Sequence, residues 1–345
     1  MSATMHDVAR LAGVSAKTVS NVVNDYLHVR PAVRERVRAA IAELDYRPNL
    51  NARGLRSGRS RVIGLAVPSL RENYFAELAD AVIRAAARHD LIVVVEQTGG
   101  RREAELNAVS NSRPRLLDGL LFSPVALGQD DVDALDVGSP LVLLGERIFG
   151  GPTDHVTMHN TSSARAATEH LLGIGRRRIA VIGADPRGAE ANSANLRVRG
   201  YREALESAGV PIDPALVRET PMSEWHRAGG AAAMRRLIDD GVPFDAVFAL
   251  SDTLGLGALR ALGERGRRVP DDVAVIGFDN IDESAYSLPS MSTVDTGRDD
   301  IAAIAVERLI LRIDEKDDRR APETFKPDFR IVARESTGHS DAEQL

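Results

Sequence analysis

The residue types that most often carry chemistry are unevenly distributed in this chain. Cysteine is absent, which removes disulfides, cysteine-bound zinc and thiol nucleophiles. The only lysines are Lys17, Lys316 and Lys326. None follows a glycine, so there is no GxxxxGK phosphate loop. His155 and His159 are four residues apart, with Val156 and Met158 alternating between them. That alternation predicts a strand, on which the two rings would stand about 13 Å apart, and no metal site is expected. No Ser-His-Asp order, nucleophile elbow or paired-carboxylate signature stands out, so no catalytic residue and no cofactor is assigned. Two groups suited to binding remain. Ser15, Ala16, Lys17, Ser20 and Asn21 lie close together near the N-terminus. Asp252 and Asp279 follow apolar runs, where a carboxylate can accept bonds from hydroxyls.

The elements that must position the first group read as short helices. Thr4 can cap a helix with Asp7 as its capping-box partner. That helix carries Met5, Val8, Ala9, Leu11 and Ala12, and Gly13 stops it. Ser15 can cap a second helix from Ala16 to about Asn24, with Val19, Val22 and Val23 inward. Pro31 suits the first turn of a third, along which Val33, Val37, Ala40, Ile41 and Leu44 follow helical spacing. A helix, a glycine turn and a second, Ser-capped helix suit DNA. The second helix presents N–H groups and a positive dipole end to phosphates, and its exposed face can reach base edges in the major groove.

After residue 61 the rhythm changes. Apolar β-rich runs recur at 62–67, 92–95, 119–122, 141–144, 179–182, 246–250 and 273–276, with helix-length amphipathic stretches between most of them. Strands alternating with helices predict parallel sheets flanked by helices. The number of strands predicts two α/β lobes, with a break near 159–162. Ligands of such sheets sit at the carboxyl ends of strands, here 68–75, 123–124, 184–197, 251–252 and 278–280. No GxGxxG follows any strand, so a dinucleotide site is unsupported.

The length of 345 residues allows two or three domains. The formal net charge of −6 argues at first against a nucleic-acid partner. It divides, however, into +5 for residues 1–60, from ten basic and five acidic side chains, and −11 for residues 61–345, from 34 and 45. A basic head precedes an acidic body. There is no apolar run of about 18 residues to cross a membrane, and the first residues lack the pattern of a signal peptide. The expected compartment is the cytoplasm.

The segment Asp7-Val8-Ala9-Arg10-Leu11-Ala12-Gly13-Val14-Ser15-Ala16-Lys17-Thr18-Val19-Ser20, with Tyr46-Arg47-Pro48-Asn49 and Ala52-Arg53-Gly54-Leu55, closely resembles the LacI/GalR family of transcription regulators. Arg334-Glu335-Ser336-Thr337 resembles that family's ending, so the resemblance spans nearly the whole chain. It implies an α/β protein with an N-terminal three-helix helix-turn-helix domain (1–48). A hinge helix and linker (49–60) and a two-lobed periplasmic-binding-protein-like core (61–340) follow. Lobe 1 is expected at about 61–160 and 291–320, and lobe 2 at about 161–290 and 321–340. Ala16, Lys17 and Asn21 are implied base readers. Thr18 and Ser20 are implied phosphate contacts, and His28 approaches the DNA backbone. Many relatives have Arg where this chain has Asn21, which changes the expected operator sequence. In the hinge, Gly54 costs about 1 kcal/mol in a helix, and so short a helix is marginal alone. The resemblance implies that it folds on DNA, where Leu55 wedges a base step and Arg53, Arg56 and Arg59 supply phosphate charge. Thr4, Ser15, Asn24, Asn49 and Ala52 complete the implied DNA-contacting set.

For the core the resemblance implies an effector held between the lobes. Asn73 and Phe75 match an N-x-F signature, and Arg197 matches the Arg of R-x-x-G-[FY]. Trp225, Ser123, Asp252 and Asp279 are further implied contacts. Aromatic faces with Asp and Arg suit a sugar. The Tyr74-Phe75-Ala76-Glu77 run also resembles the purine-repressor branch, which keeps a purine- or other metabolite-responsive, co-repressed regulator as the alternative. The expected protein is a homodimeric repressor of a pseudo-palindromic double-stranded operator. Effector closure of the cleft would shift hinge spacing and release the DNA. A tail of leucine heptads does not follow Ser336, which favours the dimer over a tetramer. A solute-binding protein would fit the body alone, and a sugar-processing enzyme would need a constellation that is not found.

Overall fold

The computed structural model describes residues 3–23, 26, 28–46, 59–110, 116–186, 192–315 and 320–338. Asn24, Asn49, Ala52, Arg53, Leu55 and Arg56 lie outside the described residues. The chain forms two units, Met1–Arg61 and Val62–Leu345.

In the first unit, α1 spans Met5–Ala12, α2 Ala16–Val23 and α3 Pro31–Glu43. Thr4 and Asp7 form the expected capping box. The Asp7 N–H donates to Thr4 Oγ1 at 3.3 Å, and the Thr4 N–H to Asp7 Oδ2 at 3.0 Å. Gly13 adopts φ 61°, a left-handed turn that side chains resist, and ends α1. Ser15 Oγ accepts from the Thr18 N–H at 3.1 Å and starts α2. Val8, Val19 and Val37 are fully buried and meet Ala9, Ala12, Val22, Ala40 and Tyr46 in one small core. Leu11 points outward, 46% exposed; a bundle this small covers only a narrow stripe of each helix.

The second unit contains two parallel sheets. The first is built from β1 (Val62–Val67), β2 (Ile92–Gln97), β3 (Gly119–Phe122), β4 (Leu141–Leu144) and β5 (Asp154–Val156), with α4 (Asn73–Ala87) and α5 (Arg102–Ser110) between them. The second follows α6 (Asn160–Gly173). It holds β6 (Ile179–Ala184), β7 (Val217–Glu219), β8 (Ala246–Ala249) and β9 (Ala274–Ile276). Its crossovers are α7 (Ser193–Ser207), α8 (Arg227–Asp239) and α9 (Asp252–Glu264), and the short α10 (Asp282–Tyr286) follows β9. The chain continues through β10 (Thr293–Asp295), α11 (Arg298–Asp314), β11 (Thr324–Phe325) and β12 (Arg330–Val332). Strand order is β11-β5-β4-β3-β1-β2 in one sheet and β7-β6-β8-β9 in the other, while β10 and β12 form an antiparallel pair. In each sheet the order reverses beside the first strand, between β1 and β3 and between β6 and β8. Such a reversal opens a crevice at the strand ends.

Three details differ from the sequence expectations. The strand at His155 ends at Val156, and His159 instead precedes α6 as its cap residue. Ser292 bridges to Ile276 beside β9, and Thr324–Phe325 pairs with β5. The chain therefore passes between the sheets a few residues after the expected breaks at 290–291 and 320–321. A buried carboxylate fixes the return helix: Asp154 accepts from Arg308 at 3.0 Å and from Arg312 at 2.7 Å, tying α11 to β5.

Candidate functional site

In the first unit, α2 carries no acidic residue, so nothing along it neutralises its positive N-terminal dipole. Lys17 and His28 are exposed, and Ala16, Thr18, Ser20 and Asn21 are half-buried. Thr4 and Ser15 are exposed but also cap helices, Ser15 Oγ lying 2.9 Å from Thr18 Oγ1. Tyr26 was missed by the sequence reading. It is 55% exposed and meets the His28 ring edge-on at 5.6 Å. Arg34 donates to its carbonyl at 2.8 Å, fixing the turn after α2. A cation, hydroxyls and an amide on one short helix can meet phosphates and base edges.

In the second unit, the carboxyl ends of both sheets face a cavity of about 530 Å³. Five of the seven expected effector residues line it: Phe75, Ser123, Arg197, Trp225 and Asp279. Phe75 lies in the first turn of α4, its ring against Tyr74 at 5.2 Å. Trp225 is 8% exposed and donates its indole N–H to Thr220 O at 3.2 Å, so it serves both core and cavity. Arg197 is 4% exposed. Its Nε donates to Asn160 Oδ1 at 2.8 Å, and Nη1 donates to Leu250 O. Nη2 pairs with Asp279 Oδ1 at 3.5 Å. The guanidinium lies 3.6 Å over the Phe278 ring, a favourable cation–π contact where water is excluded. Asp279 itself sits at φ 112°, a conformation costly for a side-chain-bearing residue. Its N–H donates to Val294 O at 2.9 Å, and its carbonyl accepts from Arg298 at 3.1 Å. Burial pushes the Asp279 carboxyl up to about 8, against the pull of Arg197.

Two expected contacts fall elsewhere. Asn73 does not line the cavity. Its amide donates to Glu283 and accepts from Arg227 at 3.3 Å, which joins the start of α4 to α8 and α10. Asp252 is fully buried behind the cavity wall. It accepts from Thr293 Oγ1 at 2.6 Å, Ser284 Oγ at 2.7 Å and the Ile281 N–H at 2.9 Å. Ser251 is the residue that caps α9. Asp252 thus holds the loop that carries Asp279, because a carboxylate that follows β8 and opens a helix turns inward onto its neighbours.

Glu72, inside the 68–75 stretch expected to meet a ligand though not singled out there, and Glu146, Arg147 and Thr157, which lie outside the expected stretches, also line the cavity. The signal for Glu146, Arg147 and Thr157 is their place just after β4 and β5, two strand ends outside those stretches. Burial pushes Glu72 up to about 7. It also raises Glu146, while Arg197, Asn160 and Thr157 pull the other way. Behind the loop after β3, the buried Glu105 accepts from the N–H groups of Val125, Ala126 and Leu127 at 2.7–3.1 Å. It fixes that stretch of cavity wall from α5.

Comparison with known proteins agrees with both halves of this arrangement. The profile described as "Bacterial regulatory proteins, lacI family" matches residues 4–49. That described as "Periplasmic binding protein-like domain" matches residues 168–337. A relative, the HTH-type transcriptional repressor PurR of Pasteurella multocida, is 32% identical over 95% of this chain and 97% of its own. The transcriptional regulator CelR–cellobiose complex is 32% identical over 97% of this chain and 99% of that one, with a TM-score of 0.69. The lac repressor dimer bound to operator and the anti-inducer ONPF is 29% identical, covers 98% and 99%, and has a TM-score of 0.81. With a helix-turn-helix head, two parallel sheets closing on a cavity and nearly end-to-end similarity to such a repressor, the chain belongs to the LacI family of bacterial regulatory proteins.

Proposed function

We propose that this protein is a cytoplasmic, homodimeric repressor that binds a pseudo-palindromic operator and changes its DNA affinity when a sugar enters the cavity between its lobes. The observation that carries this reading is the pairing, in one chain, of a helix-turn-helix head with a cavity lined by aromatic rings, carboxylates and guanidinium groups. In this reading Ala16, Lys17 and Asn21 read bases, while Thr18, Ser20 and His28 meet the backbone. Phe75 and Trp225 offer ring faces, and Ser123, Arg197 and Asp279 offer hydrogen bonds. Control of affinity requires the ligand to bind the DNA-competent and DNA-released states unequally. The protein acts by binding and not by catalysis. No described helix is long and apolar enough to cross a membrane.

The test is a gel shift on the DNA upstream of the protein's own gene, with and without a panel of neutral sugars and purine bases. We expect specific retention that falls steeply with salt, is lost on deleting residues 1–60, and responds to a neutral sugar. No retention would overturn the regulator reading, and a response to purines alone would overturn the sugar.

A further inference from the structure

The two lobes of the second unit are joined by side chains that do not line the cavity. Helices α4 and α11 belong to the first sheet's lobe, where Leu78 of α4 and Ile301 and Leu309 of α11 share a core with Leu65 and Val142. The turn after β9 belongs to the other lobe and brings Asp279 to the cavity. Glu77, on α4, pairs through Oε2 with Arg298 at 2.6 Å and accepts through Oε1 from the Asp282 N–H at 3.1 Å. Arg298, which opens α11, donates through Nη1 to the carbonyls of Asp279 at 3.1 Å and Asn280 at 3.4 Å. Beside them Arg227, on α8, donates to Asn73 Oδ1 at 3.3 Å and to Glu283 at 2.7 Å. The side chains of Arg227 and Glu283 are 50% and 42% exposed, and an exposed pair contributes little. Those of Arg298 and Glu77 are only 20% and 24% exposed, and their bonds to backbone groups are charge-assisted. The turn they grip is strained, with φ 112° at Asp279 and 51° at Asn280, a backbone that persists only where its surroundings fix it. The N–H groups of these two residues are held from their own lobe, by Val294 O at 2.9 Å and Thr293 Oγ1 at 3.2 Å. Their carbonyls are held by Arg298, from the other.

We infer that Glu77 and Arg298 form a clasp between the lobes, which fixes the Asp279 turn at the cavity and holds the lobes together. Both are positioning residues, since neither lines the cavity. Every bond of the clasp is made within the chain, so it acts whether or not a ligand is bound. It favours the joined arrangement of the lobes, and a ligand that needs that arrangement binds more tightly when more of the protein already has it. This consequence for binding rests on the reading of the cavity as the effector site. The clasp itself does not.

Trp225, the chain's only tryptophan, lines the cavity from the second sheet's lobe and reports on its opening. The test compares full-length Glu77→Ala and Arg298→Met with the native protein by Trp225 emission, by its quenching with acrylamide, and by calorimetric titration with neutral hexoses and disaccharides. Arg84→Gln is the control. Arg84 also joins α4 to α11, through Asp299 at 2.9 Å, but within one lobe. Before any sugar is added, we expect both clasp variants to emit further to the red and to be quenched more readily, and the control to match the native protein. A sugar that binds the native protein should bind the two variants about three- to tenfold more weakly. Where Arg298→Met does not fold, Arg298→Lys takes its place, since it keeps the charge but cannot fork between Glu77 and two carbonyls. Native emission and quenching in both clasp variants would overturn the inference, and so would an equal shift in the control. If the variants open but no probe binds any form of the protein, the clasp stands and the sugar reading of the cavity falls.

Discussion

Asp252 shows how one carboxylate can be predicted in the right place and assigned the wrong task. Its position after β8 was legible from the apolar run before it. Its three partners, from Ile281, Ser284 and Thr293, were not, because they come from chain 29 to 41 residues away. Glu146 is the opposite case, a polar residue at a strand end that the sequence reading passed over and the fold turns into the cavity. Asp252 also carries a pH signature. Burial pushes its carboxyl from the ordinary 3.8 up to about 7. Between those values the folded chain keeps a proton that the unfolded chain has lost, so this group's contribution to stability declines as pH rises across that window. Asp252→Asn cannot titrate. We expect it to cost about 1–3 kcal/mol through its imperfect hydrogen bonds and to flatten the stability profile between about pH 4 and pH 7. Urea unfolding across that range, native against variant, measures both. Parallel profiles would show that Asp252 does not titrate there.

At the scale of elements, the strands and helices were readable because period-2 and period-3.6 patterns are local. What was not readable is how closely the helices approach one another. The R-x-x-G-[FY] element looks like an effector motif, yet its three landmarks do three jobs. Arg197 faces the cavity, and Tyr201 donates to Ile179 O at 2.8 Å. Gly200 lets α7 lie directly on α6: a Cβ there would stand 2.1 Å from Thr161 O and 2.8 Å from Arg165 N. Gly230 and Gly257 play the same part between α8 and α9, with backbone oxygens 2.2 and 2.1 Å from where a Cβ would be. Because the clash is with backbone, Gly200→Ala must separate the helices. We expect a loss of about 1–3 kcal/mol together with weaker cavity binding, since Arg197 rides on the displaced helix. Gly263→Ala, on α9 where a Cβ would meet nothing within 4 Å, is the control and should stabilise by up to about 1 kcal/mol. Thermal melts and ligand titrations of the two variants separate a packing effect from a general glycine effect. Equal behaviour of the two would refute the close-approach argument.

For the whole molecule, the split of charge into +5 and −11 was legible from the sequence alone, and it explains how an acidic protein can bind an acidic polymer through its head. Assembly was less legible, because an apolar residue that meets a second copy reads like any other apolar residue. In the second unit, Leu288 is 93% and Tyr286 84% exposed. Leu288 lines an open groove together with Leu256, Leu259, Arg260, Glu264 and Ser287. The edge strand β2 likewise leaves Ile92 and Val94 about half exposed. Isolated exposed apolar residues need no explanation, but a nearly naked Leu and Tyr beside a groove of leucine and charged side chains mark an interaction surface. The reading as a homodimer supplies the occupant, a second copy. Two linked heads on two half-sites raise operator affinity by about 10²–10⁴ over one head, so the dimer contact and DNA affinity are thermodynamically linked. Leu288→Asp places a charge on that surface without touching a core. We expect it to yield monomers in sedimentation at micromolar concentration, to weaken operator binding by a factor in that range, and to leave sugar binding in the cavity intact. A variant that stays dimeric would move the contact elsewhere, to the β2 edge first. A monomer with undiminished operator affinity would break the link between assembly and DNA binding on which the repressor reading depends.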